Sequence, residues 1–82
     1  MNILKFYAPW CGQCKVLAQE FEKHKINVPV TNINADDEED LVDKYNVRSL
    51  PTTILIKDNK EIHRWHGFIT AEEINKKIND CK

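Results

Sequence analysis

Near the start of the chain the spacing of apolar positions changes period, and the change falls at a pair of cysteines. The run "NILKFYA", Asn2–Ala8, is rich in β-branched and aromatic residues and stops at Pro9, which predicts a strand. From Cys11 onward, Cys14, Leu17, Ala18 and Phe21 fall at i, i+3, i+4 and i+7, the apolar stripe of a helix reaching about Lys25. In "NVPVTNIN", Val28, Val30 and Ile33 alternate loosely, a weaker strand with Pro29 near its start or at a sheet edge. The acidic run Asp36–Asp40 opens a helix carrying Leu41, Val42 and Tyr45, its carboxylates at the positive end of the helix dipole. Thr52–Lys57 is a continuous β-branched run that suits a strand covered on both faces. Asp58 and Asn59 tolerate positive φ and predict a two-residue hairpin turn into a returning strand, Lys60–His66. Thr70 caps a last helix through about Asp80, with Ala71, Ile74, Ile78 and Cys81 along one face.

The predicted order is therefore β-α-β-α-β-β-α in one domain spanning residues 1–82. A right-handed crossover makes the first two strands parallel, and the hairpin makes the last two antiparallel. The result is an α/β fold, a mixed four-stranded sheet flanked by three helices. A hydrophobic content of 41% with a net charge of −1 excludes a disordered chain and gives no basic surface for nucleic acid. No run approaches the ~18 apolar residues of a membrane span. "MNILKFY" lacks the succession of a signal peptide, so a soluble, monomeric, cytoplasmic protein is expected. Three cysteines are too few for a secreted disulfide scaffold, and in a reducing compartment a close pair points to catalysis or metal binding.

The pair lies in "APWCGQCK", where strand gives way to helix. At a helix start, unpaired backbone N–H groups and the dipole stabilise an anion, so Cys11 is placed to be a thiolate nucleophile. Cys14 lies about one turn further in, within reach of Cys11, and begins the apolar stripe, which makes it the more buried thiol. An exposed nucleophile beside a sheltered partner suits disulfide exchange, with Cys11 attacking and Cys14 resolving. Half a zinc site is the alternative, but His24, His63, His66 and Cys81 form no second pair at knuckle spacing, and His63 and His66 point to opposite faces of a strand. No metal and no cofactor is expected. Cys81 reads as a partly buried spectator, and Trp65, alternating with His63, as sheet packing.

"WCGQCK" followed about forty residues later by "SLPT" resembles the thioredoxin family, and the similarity covers nearly the whole chain. It implies a thioredoxin-like fold without the extra N-terminal strand and helix of full-length members. It further implies a Cys11–Cys14 redox-active disulfide, protein substrates bearing disulfides, and a thioredoxin reductase or other electron donor. Position by position, Trp10, Gly12 and Gln13 would form the active-site loop. Leu50 and Pro51 would supply a cis-proline segment that pairs with an extended substrate, and Gly67 the glycine that admits substrate from the far side. Two features depart from the family. Gln13 stands where proline is usual, and Lys5 stands at the place of the family's buried aspartate, with Asn32 at that of the aspartate's lysine partner. Lys5 is expected under the active-site helix near Cys14, where its charge would tune the thiolate. A glutaredoxin-like, glutathione-dependent redoxin is the nearest alternative, but the cysteines enclose Gly-Gln rather than Pro-x, and "GFIT" has one glycine and no acid. A non-catalytic binding module on the same fold is a second alternative.

Overall fold

Seven elements follow one another in the expected order in the computed structural model, which describes residues 1–82. They are β1 (Asn2–Tyr7), α1 (Gly12–Lys23), β2 (Val30–Asn34), α2 (Glu39–Lys44), β3 (Thr52–Lys57), β4 (Lys60–His66) and α3 (Ala71–Asp80). The strands form one sheet in the order β2-β1-β3-β4. β1 runs parallel to β2 and antiparallel to β3, and β3 pairs antiparallel with β4. This register sets Lys5 opposite Asn32 on one side and opposite Thr53 on the other.

Both faces of the sheet are covered. On one, Ile3, Leu55, Ile74 and Ile78 form a buried cluster joined by Phe21 and Trp65, so α1 and α3 share this face. On the other, Phe6, Ile33, Ile54 and Ile56 pack with Leu41, Val42 and Tyr45 from α2 and its end. β3 is internal and covered twice, and accordingly Thr52–Ile56 are all buried. The two helices on the first face are also tied by a polar contact. Glu20 on α1 accepts the Ala71 N–H at 2.8 Å, satisfying a donor at the start of α3 that Thr70, bonded to the Glu73 N–H at 3.2 Å, leaves open.

Several boundaries move from those read in the sequence. α1 ends at Lys23 rather than about Lys25, because His24 turns extended and its N–H closes the helix on the Glu20 carbonyl. The next residues are held instead by Asn75 on α3, which donates to the Lys25 carbonyl and accepts the Asn27 N–H. α2 begins at Glu39, not Asp36. The Asn34 side chain captures the Asp36 N–H and its carbonyl takes those of Asp37 and Glu38, so these acids form a turn. Glu39 and Asp40 keep the expected first-turn position. The hairpin turn forms as expected, with φ of 54° at Asp58 and 65° at Asn59. Beyond it, a register shift opposite Leu55/Ile56 places a bulge at Ile62 of β4 that no pattern signalled. Cys81 caps α3 rather than continuing it, and packs half-buried against the first apolar cluster. No helix is long and apolar enough to cross a membrane.

Candidate functional site

The loop between β1 and α1 is drawn tight, with the Cys11 N–H bonded to the Ala8 carbonyl at 3.1 Å. Cys11 is the N-cap of α1 in an extended conformation, and its Sγ accepts the Cys14 N–H at 3.2 Å. A sulfur thus does what a serine or aspartate oxygen does at an ordinary helix start. The two cysteines are joined as a disulfide with their Cα atoms 5.2 Å apart. Cys11 is 8% exposed and Cys14 4%, a narrower difference than the sequence suggested, because Tyr7 and Leu50 pack against the cluster they form with Ala8.

Leu50 belongs to the loop before β3, and the Leu50–Pro51 bond is cis. The Pro51 carbonyl accepts the Gly67 N–H at 2.9 Å, which binds this loop to the end of β4. Gly67 has φ of 77°, and a Cβ placed on it would lie 3.3 Å from Gln13 Oε1. Gln13, Pro51 and Gly67 are therefore neighbours although they come from three parts of the chain. Gly12 meets nothing within 4 Å, so no steric contact demands glycine there. Trp10 is 70% exposed, and its indole N–H donates to Asp36 Oδ2 at 3.0 Å. Behind the proline loop, the Thr52 hydroxyl donates to the Ser49 carbonyl at 2.7 Å. Its oxygen lies 3.2 Å from His66 Nδ1, which is also 3.3 Å from the Ser49 hydroxyl, so the ring is held against this loop by two neighbours. The sequence assigns neither Asp36 nor His66 to the redox site, His66 being weighed there only as a zinc ligand. Asp36 sits in an acidic run that reads as a solvated helix start, and His66 carries no motif.

Lys5 lies on the α1 face of the sheet, only 6% exposed, with Nζ 4.7 Å above the Phe21 ring centroid. It makes no hydrogen bond or ion pair with a carboxylate. Burial lowers its pKa, against a smaller opposing effect of the Glu22 charge. Lys5, Cys14 and Asn32 all line one open cleft of about 730 Å³ between α1 and the β1–β2 pair. Lys5 thus lies under α1 with its ammonium against Phe21, about two turns beyond Cys14, and shares the cleft with that cysteine. His63 stacks edge-on against Trp65 at 4.7 Å, and no group of three or more His, Cys, Asp or Glu side chains could hold a metal.

The family model described as Thioredoxin matches residues 1–80. Among curated proteins, thioredoxin of Mycoplasma pneumoniae is 36% identical over 75 residues, covering 88% of this chain and 74% of its own length. Protein disulfide-isomerase A4 of Bos taurus is 36% identical over 85 residues, covering 95% of this chain, but this chain spans only 13% of its length. Among solved structures, the X-ray structure of Fasciola hepatica thioredoxin superposes with a TM-score of 0.84 at 31% identity, covering 99% of this chain and 80% of that one.

Proposed function

This chain belongs to the thioredoxin family, and from that premise we propose that it is a thiol-disulfide oxidoreductase that reduces protein disulfides through the Cys11–Cys14 couple. The observation that carries the reading is the Cys14 N–H donating to Cys11 Sγ at the first turn of α1. In the dithiol form the same donor and the helix dipole stabilise a thiolate at Cys11, the species that attacks disulfides.

In the proposed cycle, Cys11 S⁻ attacks one sulfur of a substrate disulfide, forming a mixed disulfide and expelling the other substrate sulfur as a thiolate. Cys14 then loses its proton and attacks Cys11 Sγ, which releases the second substrate thiolate and forms the Cys11–Cys14 disulfide. The substrate gains two electrons and the protein loses two. The substrate backbone lies along Leu50 and Pro51, with Gly67 leaving room on the far side and Trp10 forming the rim. Lys5 tunes the pair, since an ammonium in the cleft shared with Cys14 favours thiolate by direct attraction. The oxidised protein is returned to the dithiol by a thioredoxin reductase or another dithiol donor, and the chain works as a cytoplasmic monomer.

Insulin reduction tests this reading. Turnover with NADPH and a thioredoxin reductase, and none with glutathione and glutathione reductase, is the expected result. Turnover with glutathione alone would assign a glutaredoxin-type cycle, and no turnover with either would assign a binding module.

A further inference from the structure

Lys5 is the only charged residue among the 17 that are buried. An ammonium removed from water without a counter-ion costs several kcal/mol, and such groups are normally paired. Here the cation meets an aromatic face on one side and an open cleft on the other. The cleft's size falls within the range of about 300–1,000 Å³ typical of small-molecule sites. Phe21, Ile26, Val28 and Val30 line it and are each only half-buried, so an apolar wall is left facing solvent beside the lysine. The cleft's other formal charges are the exposed Lys15, Lys25 and Glu22, which leaves it with a positive excess. Because β2 is an edge strand, no further strand closes the cleft on that side.

We infer that this cleft is a binding site for a small anion with an apolar body, a carboxylate whose tail lies along Phe21, Val28 and Val30 and whose head meets Lys5. The head supplies a contacting counter-charge, which the exposed Glu22 at the rim does not, and the tail covers apolar surface that α1 and β2 leave open. The site is distinct from the surface formed by Trp10, Pro51 and Gly67, although Cys14 borders it from within. The inference concerns the disulfide form and does not depend on the proposed reductase activity.

Octanoate, octanol and acetate, each titrated into ¹⁵N-labelled protein below micellar concentrations, separate the contributions. Octanoate is expected to shift the amides of Ala18, Phe21 and Val30 and to bind at least tenfold more tightly than octanol or acetate. Lys5→Met should lower octanoate affinity to the level of octanol, while Lys5→Arg should keep the preference for the acid. Equal affinity for octanoate and octanol in the parent would overturn the assignment, as would shifts centred elsewhere or an undiminished octanoate preference in Lys5→Met. Insulin reduction by the same parent sample reports on the proposed activity separately, so a protein that fails there and still selects octanoate leaves the cleft assigned.

Discussion

Gln13 reaches toward Gly67 across the mouth of the site: a methyl group on Gly67 would lie 3.3 Å from Gln13 Oε1. That contact would be with the far end of a flexible side chain, which can move aside at little cost. The φ of 77° at Gly67 cannot be relieved so easily, because an L residue there costs roughly 1–2 kcal/mol. Gly67→Ala should therefore lower stability by about that amount, and adding Gln13→Ala should recover less than about 0.5 kcal/mol. Urea unfolding of the two variants and the double variant checks this. Full recovery in the double variant would mean that the steric contact, not the backbone, sets the demand for glycine.

Cys14→Ser should accumulate mixed disulfides with protein substrates, because Cys11 can attack but nothing resolves the product. Cys11→Ser should accumulate few. Non-reducing gels of protein mixed with oxidised insulin show the difference, and equal trapping by the two variants would reverse or abolish the assignment of roles.

Gln13 is the second residue of α1, immediately before Cys14, whose N–H is already given to Cys11 Sγ. Replacing Gln13 by proline removes a second first-turn N–H from the surroundings of the thiolate. The field of a helix start is worth about 0.3–1 kcal/mol to an anion there, which for a two-electron couple corresponds to roughly 5–20 mV. Gln13→Pro should thus shift the potential by about that much toward the negative, making the dithiol a stronger reductant. Equilibration with glutathione buffers measures it, and an unchanged or more positive potential would remove the Gln13 N–H from the account.

Burial holds the Lys5 pKa below its usual 10.5. The unfolded chain therefore binds this proton more tightly than the folded one, and stability rises with pH between the lowered value and 10.5. Below that interval the fold carries the whole cost of the buried charge. Lys5→Met should stabilise the disulfide form at pH 7 by about 1–3 kcal/mol, the gain narrowing as pH approaches the unfolded value. The same variant should raise the cysteine pKa values and slow disulfide exchange near pH 7, with little loss at pH 9. Urea midpoints across pH, together with thiol titration, test both halves. A gain independent of pH through 10.5 would show that folding leaves the Lys5 pKa unshifted, and would remove burial of its charge from the account.

The strands and the hairpin were legible because one signal decided each. Thr52–Lys57 is β-branched throughout and lies where a strand is covered twice, and Asp58–Asn59 had to supply two positive φ values. The helix ends were not, since side chains settled them: Asn34 took backbone donors from the start of α2, and Asn75, fifty residues away, held Lys25 out of α1. The cysteines' place at the start of α1 was readable from local spacing. The Trp10–Asp36 bond and the approach of Gln13 to Gly67 join distant segments, and nothing in either segment marks its partner. Lys5 drew notice through the family resemblance, and its lack of an ion-pair partner is a fact of packing that only the assembled sheet reveals.

The two margins of the sheet are guarded unequally. β4 carries Lys60, Glu61 and Arg64 along its length, and the bulge twists it out of register, so it offers a poor template for another chain. β2, Val30–Asn34, has no charged side chain. What protects it is brevity and Pro29, which precedes it and spends its carbonyl on the Ile3 N–H. The colloidal behaviour of this protein is therefore decided at one margin. In concentrated solution or during synthesis, β2 is where strands of neighbouring chains would seed a common sheet, and Pro29 is the gatekeeper that limits it.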